Sequence, residues 1–286
     1  SIVTNIDKEH LDFYKNFNNL IQSFIKFIEK TPPIGKSFLC IDDPCIRKIL
    51  KKLKTKNYYT YGFDKSANYQ IYNPRYEIGF SKFDLKIKIV GSKNIHIKNI
   101  LLKLVGKYNV LNATAAIALS LSLGLKIEVI KKALKNFSGV QRRLTKVFKK
   151  DNIEFYDDYA HHPTEIKSVL EAVRKVAPKR KIITIFQPHR YSRVKSLNSE
   201  FASCFKASDQ MILCPVYSAG EVIDKKYNKT KFAKLISKSS KTQVVIIKDE
   251  LDLTKYLKKN LINDEIVIGM GAGSISKWMY GLKDNL

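Results

Sequence analysis

The chain has 286 residues and a mass of 32.9 kDa, enough for two domains of ordinary size. At 44% hydrophobic and 11% aromatic it can build cores, which excludes wholesale disorder, and no run approaches the roughly 18 apolar residues of a membrane span. The net charge of +26 would suit a nucleic-acid partner, but of 52 basic residues only eight are Arg, and the Lys are spread along the whole chain. Base readers need guanidinium forks clustered with aromatics, so neither a nucleic-acid nor a membrane partner is expected. Cys40, Cys45, Cys204 and Cys214 lack metal-ligand spacing and are expected as reduced thiols of a cytoplasmic protein.

The opening residues Ser1-Ile-Val-Thr-Asn5 run from an apolar strand into a polar turn, the texture expected of a fragment of a longer chain. Apolar residues at helical spacing predict a helix over 17–29, ended by Pro32-Pro33. A strand over 37–41 follows, then a helix from Pro44 to Leu53 with Asp43 as its cap, then a strand over 58–63. From 68 to 104 the period turns to two, predicting a small antiparallel patch. Helices over 110–123 and 128–137 are stopped by Gly124 and Gly139. From about residue 146, strands (153–156, 181–186, 210–214, 243–247, 265–270) alternate with helices (163–176, 197–205, 230–238, 251–261). That alternation predicts a doubly wound, Rossmann-like α/β sheet, so the expected domains are 1–145 and 146–286.

Gly35-Lys36-Ser37 is no phosphate loop: Lys30 stands where the first glycine belongs, and the tripeptide joins a helix to a strand. No other stretch qualifies, so this sequence has no triphosphate cradle of its own. Gly269-Met-Gly271-Ala-Gly273-Ser274 reads as a tight turn after the last strand, with backbone N–H groups that could hold an anion.

Four of the five His fall in three polar runs, 4–10, 157–163 and 187–193, each directly after an apolar strand. In open α/β sheets that edge binds ligands. Arg142, Arg143, Arg190 and Arg193 lie in polar runs too, and Arg kept in a Lys-rich chain suggests bidentate binding of phosphate or carboxylate. Singly, each of these residues also fits a cap or a surface pair.

Thr4-Asn5-Ile6-Asp7-x-x-His10, Gly106-x-x-Asn109-Val-x-Asn112-Ala113, Arg142-Arg143 and Asp157-Asp158-Tyr159-x-His161-His162-Pro163-Thr-Glu165 together resemble the Mur ligases. The resemblance implies the second half of a central ATPase-type α/β domain and a C-terminal domain, with an N-terminal region of the same enzyme missing and the fragment inactive alone. It implies an ATP-dependent acid–amino-acid ligase of peptidoglycan synthesis. In the family reaction a carboxylate receives the γ-phosphoryl group of ATP, and the acyl phosphate is then attacked by an amine. Phe186-Gln187-Pro188-His189-Arg190-Tyr191-Ser192-Arg193, with Tyr217-Ser-Ala-Gly220-Glu221, points to the branch joining L-alanine to UDP-N-acetylmuramate. The peptide-recycling branch, or a basic nucleic-acid binder, is the alternative.

By the same resemblance His10 implies a magnesium ligand, Asn109 and Asn112 an adenine contact, and Arg143 a place near the triphosphate. Asp157 and Asp158 fall where nucleotide and substrate meet. Tyr159, His161, Arg190 and Arg193 imply the muramoyl and amino-acid side, with His161, Arg190 and Arg193 catalytic. Tyr108 departs from the family's His; a phenol can stack or hydrogen-bond there. The expected cofactors are ATP and Mg2+.

Overall fold

The computed structural model describes residues 1–77, 79–91 and 93–286. Contacts divide the chain into two compact units, Ser1–Ser138 and Gly139–Leu286. Among the described residues no helix is long and apolar enough to cross a membrane.

The first unit runs β1 (Ile2–Val3), α1 (Leu11–Tyr14), α2 (Phe17–Glu29), β2 (Ser37–Cys40), α3 (Pro44–Ile49), β3 (Tyr58–Gly62), β4 (Tyr69–Glu77), β5 (Phe80–Ile87), β6 (Ile95–Leu102), α4 (Lys107–Ser122) and α5 (Ile127–Asn136). Its described strands form one sheet in the order β1-β2-β3-β4-β5-β6. The first four are parallel, and β4 to β6 form the antiparallel part. That part is joined to the parallel strands through β3 and β4, in register at Tyr61 and Tyr69.

Local signals explain the helices. The Asn16 side chain accepts the N–H of Asn19 to start α2, which buries Leu20, Ile25 and Ile28. Asp43 accepts the N–H of Ile46 at 2.8 Å and Pro44 opens α3. That helix stops at Ile49, short of Leu53, which is nevertheless buried: apolar spacing marks the inward face and not the helix end. Gly124, at φ 82°, closes α4 with bonds from Gly124 N–H to Leu121 and from Leu125 N–H to Ser120, so the last carbonyls are satisfied.

The second unit runs β7 (Thr145–Lys150), β8 (Ile153–Asp158), α6 (Pro163–Val176), β9 (Ile182–Phe186), α7 (Tyr191–Ser196), α8 (Asn198–Ser203), β10 (Gln210–Leu213), α9 (Lys229–Ser240), β11 (Gln243–Ile246), α10 (Glu250–Asn260), β12 (Ile266–Met270) and α11 (Ile275–Asn285). The strand order is β11-β10-β9-β12-β8-β7, parallel except for β7 against β8. β12 lies between β8 and β9, so the order reverses there, and the crevice outside the strand ends at such a switch point is where ligands bind in open α/β sheets.

Further features differ from the sequence expectation. β7 was not foreseen, because Thr-Lys-Val-Phe-Lys-Lys is the Lys-rich texture of a guarded edge strand; Phe148 still stacks on Phe155 at 4.1 Å. The helix expected over 197–205 is the shorter α8, and α7, a separate helix ahead of it that ends at Leu197 (φ −116°, ψ 29°), was not foreseen. The segment 139–144 is held by the second unit: Tyr159 N–H donates to the Arg142 carbonyl at 2.8 Å, and Leu144 N–H to Asp158 at 2.7 Å.

Candidate active site

Asp157 and Asp158 end β8, and both are fully buried. Asp157 Oδ2 accepts the Ser276 hydroxyl at 2.6 Å and lies 3.6 Å from Nε of Arg142. Its Oδ1 has no hydrogen-bond partner among the described residues, a cost that functional sites tolerate better than cores. Burial raises the Asp157 pKa, against Ser276 and Arg142. Arg142 adopts φ 58°, donates to the Gly271 carbonyl at 2.6 Å and lies over the Tyr159 ring at 4.6 Å. Asp158 accepts backbone N–H groups on both oxygens, from Leu144 and Ala160, and burial pushes its pKa up to about 6. Both carboxylates therefore anchor the surrounding backbone and Arg142.

The next turn starts α6. Pro163 stands at its first position, and Glu165 accepts the N–H groups of His161 and His162 at 3.1 and 3.3 Å. His162 itself is the cap, accepting from Thr164 N–H. His161 turns the other way: its Nδ1 is 3.0 Å from the Tyr159 carbonyl and 3.3 Å from Glu165. Arg143 Nη1 lies 3.8 Å from the same glutamate. Arg143 thus sits in the second unit, whereas the expected domain limits put it in the first.

The loop after β9 carries Gln187, His189 and Arg190 into α7. Arg190 holds φ 67° and donates its N–H to the Tyr217 carbonyl at 2.9 Å, while Tyr217 N–H donates to Pro188 at 2.8 Å. α7 has no side-chain cap of its own; Glu221 accepts both the N–H and the hydroxyl of Ser192. The rings of Tyr159, His161, His189 and Tyr217 follow one another at centroid distances of 5.2, 5.6 and 5.6 Å, edge to face at the first two contacts and stacked at the third, so Arg142 stands at the head of a continuous chain of rings. Tyr217 closes against Gly273, where a Cβ would stand 2.5 Å from its ring. The glycine turn offers less to an anion than its sequence suggests: Gly271 N–H donates to the backbone carbonyl of Asp158, and Ile275 N–H to Oε1 of Gln187.

In the first unit, His10 follows the end of β1 at φ 54°, exposed and without a capping bond from its side chain. Asn109 and Asn112 lie one turn apart on α4. The Asn109 amide donates to Val105, and Asn112 is exposed. Asp42, after β2, accepts N–H groups of Phe63 and Asp64 and lies 3.9 Å from Lys107 Nζ. No cluster of three or more His, Cys, Asp or Glu suited to a metal occurs among the described residues. Magnesium prefers oxygen ligands and keeps several waters, so an ion here would rest chiefly on substrate phosphates, with the exposed His10 at most an added nitrogen donor.

The structure thus gathers Arg143, Asp157, Asp158, Tyr159, His161, Arg190 and Arg193 on one strand edge of the second unit, and His10, Asn109 and Asn112 belong to the first. Sequence reasoning named Arg142 among the scarce arginines and placed Glu165 and Tyr217 inside the motif runs, but gave no individual role to these three, to His189 or to Ser276. His189 lay inside a quoted run; Ser276 gave no signal. A cavity of about 660 Å³ on α6 and α8, lined by residues such as Lys167, Glu171 and Glu200, holds none of the site side chains.

Residues 1–120 match the Mur ligase middle domain, and residues 142–273 match the Mur ligase glutamate ligase domain. The chain is 50% identical over 99% of its length to the UDP-N-acetylmuramate--L-alanine ligase of Pelagibacter ubique, and 37% identical over all of it to that of Bartonella tribocorum. It spans about 61% and 60% of those relatives. The crystal structure of UDP-N-acetylmuramate-alanine ligase MurC of Thermotoga maritima superposes with a TM-score of 0.75 at 26% identity, covering 99% of this chain and 58% of that one. The MurF ligase of Thermotoga maritima in complex with ADP shares the fold at 14% identity, with a TM-score of 0.70 over 100% of this chain and 62% of that one. Two domains matched in order, on a shared fold, make this chain a member of the Mur ligase family.

Proposed function

We propose that the chain is the middle and C-terminal part of an ATP-dependent ligase that joins L-alanine to UDP-N-acetylmuramate in cytoplasmic peptidoglycan precursor synthesis. The observation that carries this is the 50% identity, over 99% of the chain, to a relative so named. The geometry supports it through the cation- and imidazole-rich strand edge of the second unit, whose guanidinium groups suit anionic sugar nucleotide and carboxylate groups.

In this reading Arg190 and Arg193 bind and orient the muramoyl substrate, and His161, held by Tyr159 and Glu165, lies beside the reacting carboxylate and amine. Tyr159 shapes the same side, and Asp157 and Asp158 keep Arg142 and the 142–160 backbone in place. Asn109 and Asn112 present amides to adenine, Arg143 lies near the triphosphate, and His10 is the magnesium ligand. Bound magnesium would neutralise phosphate charge as the γ-phosphoryl group moves to the muramate carboxylate. The protein's own work is positioning and charge stabilisation, which phosphoryl transfer chiefly needs.

The test is ADP release by the longest natural chain that carries this sequence, given UDP-N-acetylmuramate and either L-alanine or an alanine-headed peptide. Turnover with L-alanine is expected. Turnover with the peptide alone would favour the recycling branch, and turnover with neither would overturn both.

A further inference from the structure

The ring of His189 is half-buried and enclosed by three partners. Tyr217 stacks on it at 5.6 Å with 20° between the planes, and His161 meets it at 69°. Its Nδ1 lies 3.1 Å from Nη1 of Arg193, four residues along the chain. A guanidinium nitrogen can only donate, so this bond requires the lone pair on Nδ1. The imidazole is then neutral, with its proton on Nε2.

We propose that His189 is a positioning residue: as a fixed, neutral acceptor it aims the Arg193 guanidinium at an anionic group of the substrate. The identity of that substrate rests on the ligase reading above; the hydrogen bond does not. Arg193 has a long, flexible stem on a helix of six residues that lacks its own side-chain cap. Held at the His189 ring, the guanidinium has less orientational freedom to lose on binding. The groups facing the ring favour the same state. Burial, then Arg193, His161 and Arg190, push the His189 pKa down to about 4, and only Glu221 acts in the opposite sense.

Two substitutions separate aiming from packing. His189→Phe keeps a flat ring against Tyr217 and deletes the acceptor. His189→Asn loses the ring but offers an amide oxygen near the place of Nδ1.

The direct test is long-range proton–nitrogen correlation spectroscopy on this chain with 15N-labelled histidine, from about pH 5.5 to 8, with His189 assigned by its loss in His189→Phe. A proton on Nε2, a bare Nδ1 and no titration across that range are expected; a proton on Nδ1, or titration near the ordinary histidine value of about 6.5, would overturn the proposal. In steady-state kinetics of the longest natural chain, His189→Phe should raise KM for UDP-N-acetylmuramate about ten- to hundredfold and leave KM for ATP unchanged, whereas His189→Asn should stay within about fivefold. Equal losses in both variants would reduce His189 to packing. If the unsubstituted protein joins no alanine to the muramate, the ligase reading fails, and the spectra alone decide the role of His189.

Discussion

The carboxylate of Asp158 accepts the backbone N–H of Leu144 at 2.7 Å, tying the segment ahead of β7 to the end of β8. Its second oxygen takes the N–H of Ala160 at 2.8 Å. Leu144 is held at φ 47°, a conformation a leucine rarely adopts, so this bond compensates a strained backbone.

That relationship has a pH signature. Burial raises the Asp158 pKa from 3.8 to about 6, against the pull of both N–H groups. A raised carboxyl pKa means that folding disfavours the ionised form. The stability linked to this group is therefore present below about pH 4 and is lost as pH rises through about 6. Asp158→Asn cannot titrate and turns an NH2 group toward one of two donors. The advantage of Asp over Asn in urea denaturation should shrink by on the order of 3 kcal/mol between about pH 4 and pH 7. An advantage that grows with pH would show that the two N–H bonds outweigh burial.

Gly273 lies where a Cβ would stand 2.5 Å from both Tyr217 Cγ and Gln187 Oε1. Gly273→Ala must displace one of them, and overpacking of this kind costs roughly 1–3 kcal/mol. Because the Tyr217 carbonyl fixes the N–H of Arg190, turnover should fall as well. Denaturation midpoints and kinetics of the variant check both; unchanged values would mean that the turn relaxes freely.

His10→Ala should leave stability within about 0.5 kcal/mol, since the residue is exposed. Turnover should drop and recover in part at raised magnesium. An unchanged magnesium dependence would make His10 a structural residue of its turn.

Arg190→Lys keeps the charge and removes the planar fork. Loss of a bidentate, charge-assisted contact should cost about 2–3 kcal/mol, or roughly 30- to 200-fold in turnover, with KM for ATP unmoved. A near-normal rate, or a loss confined to ATP affinity, would remove Arg190 from the muramate side.

Elements whose sequence pattern is local were legible. The helices over 17–29 and 163–176 have the limits that periodicity and caps suggest, because Asn16, Pro32-Pro33 and Pro163 carry their own boundaries. β7 was not legible, since an edge strand buries little and Lys hides its alternation. In the site, the runs 157–163 and 187–193 stood out because His and Arg are scarce in this chain. The pairings of His189 with Tyr217, Gln187 with Ile275 and Asp157 with Ser276 did not, because strand order and not spacing brings those residues together.

The central claim, ligation of L-alanine to UDP-N-acetylmuramate through an acyl phosphate, is tested most directly by oxygen transfer. UDP-N-acetylmuramate labelled with 18O in its carboxylate is incubated with ATP, magnesium, L-alanine and the longest natural chain that carries this sequence. One labelled oxygen in the released phosphate, matched by the alanyl product, is the predicted result. Phosphate without label, or label and product that appear only with another amine, would contradict it.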